Sequence, residues 1–298
     1  MDEILKLDNI SQFNSLRGIE TLHPLVSVVD FSKMKLIPES RASYGFYCIF
    51  LKEVKCGDLK YGCNYYDYQE GTLVFIGPSQ VVGIGNAPGS PKPKGWGLLF
   101  HPDIIRGTSL GQNIKEYSFF SYEANEALHL SEKEREIIMD CLNKIDYELH
   151  QSIDKHSKTL ISNNIELLLN YCMRFYDRQF ITRSHVNKDI LAKFEKLLDV
   201  YFQSEMTQTL GLPTVRYCAD QLHLSPNYFG DLIKKETGKS AQEHIQLKLI
   251  NTAKERIFDT TKTVSEIAYE LGFKHPQHFS RLFKNETGYS PNEYRFLN

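Results

Sequence analysis

The sequence predicts two domains: a mainly β N-terminal domain followed by two helices, and an all-α C-terminal domain. Three observations carry this. Residues 1–125 set short apolar runs between turn residues, residues 131–176 carry stripes of helical period, and the last third contains one stretch twice. At 298 residues the chain is long enough to bury two cores.

In the first region, Tyr44–Leu51 (YGFYCIFL) is rich in aromatic and β-branched residues, and Gly71–Ile76 (GTLVFI) is a short apolar run opened by glycine. Gly77-Pro78, Asn86-Ala87-Pro88-Gly89 and Pro91-Lys92-Pro93 are turn signals. Many short strands with frequent turns imply a small barrel or sandwich. Phe46, Cys48 and Phe50 alternate onto one strand face. With Trp96, the one tryptophan, they are candidates to line an effector pocket, or simply to fill the core. The region's histidines, His23, His101 and His129, are widely separated and none forms an H-x-H pair, so no metal site and no catalytic residue is expected.

Ser131 and Glu134 form a capping box opening a helix with Ile138, Cys141, Ile145 and Leu149 on one stripe. A second helix carries Ile161, Ile165, Leu168 and Cys172, a stripe that serves either packing on the β domain or dimerisation. Asp177–Asn187 (DRQFITRSHVN) is polar and unpatterned. The expected division is therefore 1–176, a linker at 177–188, and 189–298.

The C-terminal domain opens on a helix from Ile190 to Ser204 with Leu191, Phe194, Leu197, Leu198 and Tyr201 inward. The repeat follows. Val215, Ala219 and Leu222 match Val264, Ala268 and Leu271, and Pro226, Phe229, Leu232, Lys234, Glu236, Thr237, Gly238 and Ser240 match Pro276, Phe279, Leu282, Lys284, Glu286, Thr287, Gly288 and Ser290. Val215, Cys218, Ala219 and Leu222 fall at i, i+3, i+4 and i+7, as do Val264, Ile267, Ala268 and Leu271. Gly272 turns the second copy, where the first has His223. Ser225-Pro226 opens a second helix, and Gly238 and Gly288 stand where a helix ends. Each copy (214–237 and 263–287) reads as a helix-turn-helix unit. Between them, Ser240 and Glu243 cap a helix carrying Ile245, Leu249, Ala253 and Ile257; Ser290 and Glu293 cap a last one.

The second copy, with IAYELGF and HFSRLFKNETGYSPNEYR, closely resembles the signature of AraC-type (AraC/XylS) transcription regulators, over Ile190–Asn298. The resemblance implies a paired DNA-binding domain, a cupin-like N-terminal barrel that binds an effector, and a dimer seam on the helices after it. GTLVFIGPSQVVG resembles the second cupin box but has no histidine where a ligand would fall.

Charge qualifies this. Lys and Arg total 35 against 37 Asp and Glu, and from Asp189 onward there are 14 of each sign. A basic footprint must then be local, as it is at Lys274, His275, His278, Arg281 and Lys284. The N-terminus has no secretory pattern and no apolar run approaches the ~20 residues of a membrane span, so a cytoplasmic protein is expected. Cys48, Cys56, Cys63, Cys141, Cys172 and Cys218 show no C-x-x-C pairing and read as reduced thiols, with Cys56 and Cys63 the one candidate redox pair.

The function expected is a sequence-specific regulator, not an enzyme, with duplex DNA as partner. RNA polymerase is a further partner if it activates, and a homodimer is expected if the N-terminal helices pair. No cofactor is expected beyond a small-molecule effector. In a helix-turn-helix the second helix enters the major groove. Its readers are Ser225, Asn227, Tyr228 and Asp231 in the first unit, and Lys274, His275, Gln277, His278 and Arg281 in the second; Lys234 and Lys284 are placed for phosphate. Two rivals stay open: an enzyme with a DNA-binding tail, and a protein-interaction module using the same fold.

Overall fold

At Gly45 the chain passes from one β-sheet to another. The computed structural model describes residues 4–38, 40–53, 71–84, 93–123 and 126–296, and two compact units, Met1–Ile181 and Thr182–Asn298. In the first unit β1 (Ile4–Leu7), α1 (Ile10–Arg17) and β2 (Val26–Asp30) precede β3 (Ser40–Tyr44) and β4 (Tyr47–Lys52). The run expected as one strand over 44–51 is therefore broken. The Gly45 amide donates to the Leu7 carbonyl at 2.8 Å, and a Cβ there would lie 2.6 Å from the Asp8 oxygen. The backbones meet too closely for a side chain, and the strand bends across.

β5 (Thr72–Ile76), β6 (Val81–Ile84), β7 (Gly95–Phe100) and β8 (Leu128–His129) complete two open sheets, β1-β3-β6 and β2-β7-β4-β5-β8. Between β7 and β8 lie two short helices, α2 (Pro102–Ile105) and α3 (Ser109–Asn113). The N-terminal unit is β-rich, but the expected cupin-like barrel is not found: among the described residues neither sheet closes on itself, because β3 and β6 pair apart from the strands that follow each of them. One core lies between the sheets and α1, joining Leu7, Ile10, Phe13, Ala42 and Tyr44 to Val29, Phe46, Cys48, Ile76 and Leu99.

The strand register corrects the candidate pocket. Cys48 pairs with Leu99 and Phe50 with Gly97, whereas Trp96 pairs with Leu51. Directly paired residues share a face, so Trp96 stands on the opposite side of the sheet from Cys48 and Phe50. Phe46 and Cys48 are fully buried in the inter-sheet core, with Phe50 packed against it. The opposite face is covered by an aromatic cluster in which Phe75 meets Phe119, Phe120 and Tyr176.

Two long helices follow, α4 (Glu132–Leu149) and α5 (Ser157–Thr182), and α4 opens with the expected Ser131–Glu134 capping box. Ile161, Ile165, Leu168 and Cys172 are at most 1% exposed within the chain's own first unit. Of the two roles open to the stripe, packing within its own chain is the one these four residues serve. The stretch 177–188, expected as a linker, is helical except at Arg183, since α6 runs from Ser184 to Gln203. Its polar residues lie on both sides of the helices, with Asp177, Thr182 and Lys188 exposed and Gln179 and Asn187 buried. Asn86-Ala87-Pro88-Gly89, Pro91-Lys92, Cys56 and Cys63 lie outside the described residues; Cys48, Cys141, Cys172 and Cys218 are free and buried. Among the described residues no helix is long and apolar enough to cross a membrane.

The second unit continues with α7 (Met206–Leu210), α8 (Val215–Gln221), α9 (Pro226–Thr237), α10 (Ala241–Ile257), α11 (Val264–Glu270), α12 (Pro276–Thr287) and α13 (Pro291–Arg295). Ala241, Ile245, Leu249, Ile250, Ala253 and Ile257 bury one side of α10, which touches α6, α9, α11 and α13. Phe194 of α6 meets Phe229 of α9 edge-on at 5.0 Å, and Tyr294 of α13 meets Phe283 of α12 at 5.3 Å. Capping boxes open α10, α11 and α13.

Those boxes predict a pH response. Hydrogen bonds from Ser240, Thr263 and Ser290 hold the Glu243, Glu266 and Glu293 carboxyls below their ordinary values. A depressed carboxyl contributes stability above its unfolded pKa, about 4.3 for Glu. That contribution is lost as pH falls through the lower folded value. Urea unfolding of the full chain should therefore weaken from about pH 5 downward, and a Glu243→Gln, Glu266→Gln, Glu293→Gln variant should show a flatter acid limb.

Candidate nucleic-acid interface

Both repeat copies build the same turn with the same bonds. Leu224 N donates to Ala219 O at 3.0 Å, and Phe273 N donates to Ala268 O at 3.0 Å. Ala219 and Ala268 are fully buried, so each first helix lies against its second through a small residue. At the far end Gly238 and Gly288 take left-handed conformations and donate to Lys234 O and Lys284 O. Thr237 and Thr287 each donate a hydroxyl to the carbonyl four residues earlier, both at 2.7 Å. The repeated Thr-Gly is thus one helix-ending device used twice.

The turns differ at one position. His223 has φ +57°, a left-handed conformation that costs a side chain about 1–2 kcal/mol. Gly272, its counterpart, has φ +93°, and a Cβ there would lie 2.7 Å from the Thr207 oxygen. The short helix α7 presses on the second turn: Thr207 donates its hydroxyl to Glu270 O at 2.6 Å. This contact explains why only one copy can drop its glycine.

The candidate readers separate on burial. In the first unit Ser225 is 3% and Tyr228 is 5% exposed. Ser225 accepts the Tyr228 amide at 3.3 Å as the helix cap, and the Tyr228 ring packs inward beside Phe229. Both are structural, a correction to their assignment as base readers. Asn227 and Lys234 are exposed, with Asp231 half-buried on the same outward face. Gly230, passed over in the sequence, also lies there; a Cβ on it would meet nothing within 4 Å.

In the second unit Lys274, His275, Gln277, His278, Arg281 and Lys284 are all exposed, over a buried face of Phe279 and Phe283. The His275 and His278 rings meet edge-on at 5.4 Å, and His275 takes the cap position without a side-chain cap bond. Aligned by the repeat, Asn227, Gly230, Asp231 and Lys234 of α9 stand where α12 has Gln277, Ser280, Arg281 and Lys284. The first face carries one charge of each sign and the second two positive charges.

The three histidines singled out in the sequence, His23, His101 and His129, hold structural contacts. His23 Nδ1 accepts from Leu25 N, His101 Nδ1 accepts from Asp103 N at the start of α2, and His129 lies 3.3 Å from the Thr72 hydroxyl.

A family profile described as a helix-turn-helix domain matches residues 218–296. The Transposon Tn10 TetD protein of Escherichia coli is 33% identical over 144 residues, covering 48% of this chain and 91% of TetD. The chain belongs to the AraC family of transcriptional regulators. YesN of Bacillus subtilis, an uncharacterized transcriptional regulatory protein, is 38% identical over 78 residues, 26% of this chain and 21% of YesN. This chain and YtdP of the same organism are 35% identical over 11% of YtdP, so the match spans a minor part of both Bacillus proteins. Among solved structures, the C-terminal domain of AraT, a response regulator from Geobacillus stearothermophilus, is 28% identical, covering 37% of this chain and 85% of that one at a TM-score of 0.33. ToxT of Vibrio cholerae is 13% identical, covering 91% and 98%, at a TM-score of 0.29. The shared AraC-type segment contains both repeat copies except the first residues of α8.

The two turns predict opposite responses to one chemical change. Gly272→Ala should destabilise the second unit by about 2 kcal/mol or more. His223→Gly should be neutral or stabilising by up to about 1 kcal/mol, the relieved strain offset by a freer unfolded chain. Urea midpoints of the two variants against the parent chain decide this.

Proposed function

We propose that this chain is a sequence-specific DNA-binding transcription regulator whose α9 and α12 enter successive major-groove segments, with an N-terminal unit that senses a small molecule. The observation that carries this is the α12 face. Six polar or basic side chains from Lys274 to Lys284 are exposed together on α12 and the two residues before it, over the buried Phe279 and Phe283. Gln277 and Arg281 have the donor patterns that suit adenine and guanine edges, while Lys284, a turn further on, suits phosphate. Asn227 and Lys234 offer a lesser version of the same arrangement on α9, with Asp231 opposing phosphate rather than attracting it. The second head therefore supplies most of the affinity and the first refines register. A cytoplasmic location follows from this role.

Rivals fare less well on the same residues. His23, His101 and His129 serve backbone caps and strand contacts, so nothing in their placement supports the enzyme reading. A protein-docking module would have no use for a polar face with so little apolar area.

Because α10 packs on both units, the two target segments should lie about one helical turn apart on one side of the duplex. Footprinting on a selected duplex should show two protected segments, and inserting about five base pairs between them should abolish one. Gln277→Ala or Arg281→Ala should each cost roughly 1–3 kcal/mol and relax preference at one position. Lys284→Ala should weaken all sequences alike and reduce the salt slope by about one. Protection of both segments after the insertion, or no salt-sensitive binding at all, would contradict the reading.

A further inference from the structure

Among the described residues of the second unit, Gly230 is the one glycine inside a helix, between Phe229 and Asp231 of α9. The other glycines there have a reason in their own backbone: Gly211, Gly238, Gly272 and Gly288 take positive φ at turns and helix ends. Gly230 does not; its φ is negative, where any residue is comfortable. Nor is it crowded, since a Cβ there would meet nothing within 4 Å among the described residues. Glycine is the worst helix former after proline, and alanine in this place would stabilise α9. The chain's own packing therefore does not call for the missing side chain.

Its place on the helix does. Tyr228, Phe229, Leu232 and Ile233 form the buried face of α9, whereas Asn227, Gly230, Asp231 and Lys234 fall at i, i+3, i+4 and i+7 on the outward one. In the second copy Ser280 holds the position of Gly230. A helix with no side chain in the middle of its reading face can bring its backbone against a ligand. The neighbours decide what comes close. The Asp231 carboxylate disfavours phosphate, so a base edge fits here better than the sugar–phosphate backbone. The bare Cα surface offers no side-chain donor or acceptor. The major groove has one apolar group to set on it, the thymine C5-methyl. Asn227, one turn earlier, suits the adenine of an A·T-containing segment.

We propose that Gly230 seats a thymine methyl, so that α9 lies closer to the base edges than α12 and the missing side chain determines specificity. This rests on the DNA-binding reading above and adds to it the base that the first head selects.

The test exchanges one methyl group between protein and DNA. The probe is a duplex selected by the full chain, with each thymine of the protected segments replaced in turn by uracil, which lacks only the methyl. One replacement should weaken the parent about fourfold, the worth of one buried methyl. Gly230→Ala should bind the thymine duplex about tenfold more weakly. It should recover most of that loss on the same uracil duplex, where its own methyl fills the vacated space. The variant should also melt about 4 °C above the parent, which separates lost contact from lost folding. The proposal is overturned if no uracil replacement weakens the parent, if Gly230→Ala binds the thymine duplex as the parent does, if uracil brings no recovery, or if the variant melts lower. A parent chain without salt-sensitive DNA binding refutes the regulator reading together with this site. A parent that binds but ignores the methyl refutes this site alone.

Discussion

The C-terminal unit depends on one buried helix. α10 presents Ile245, Leu249, Ala253 and Ile257 to both halves of the repeat, so each helix-turn-helix completes its core against a wall it shares with the other. A seven-residue first helix and a twelve-residue second one are too short to be stable alone. Shared burial removes that weakness and couples the two heads in the same step. Both ends of the wall are tied: Ser240 and Glu243 cap the start, and Arg295 donates from α13 to the Ile257 and Lys262 carbonyls beyond the other end.

Within this frame the copies have diverged where packing permits. The second turn is pressed by α7 and must keep Gly272; in the first the exposed His223 takes the left-handed conformation at a cost. The outward faces diverge further, with Asp231 opposite Arg281 and Gly230 opposite Ser280. The buried pairs Ala219/Ala268 and Phe229/Phe279 are kept between the copies.

Much of the second unit was legible because its signals are local. Caps at Ser225, Ser240 and Ser290, terminators at Gly238 and Gly288, and stripes of period 3.6 each act within a few residues of chain. What misled was burial. Tyr228 sits at a reader's position in the sequence, yet its ring faces inward, and no spacing rule distinguishes it from Asn227 next door. The N-terminal unit was harder throughout, because sheet contacts are non-local. Nothing around Tyr44–Leu51 announces that Gly45 must lie on the Asp8 backbone, nor that pairing with Leu51 turns Trp96 away from Cys48. The Ile161–Cys172 stripe looked the same whether its partner was its own chain or another.

The central claim is that α10 makes the two recognition helices one rigid reading device. Electron–electron spin distance measurement tests it most directly, with labels at Asn227→Cys and Gln277→Cys in a chain also carrying Cys56→Ser and Cys63→Ser, the remaining cysteines being buried. The account predicts a single narrow distance distribution that is the same free and on DNA. A broad or double distribution in the free chain that narrows only on DNA would contradict it.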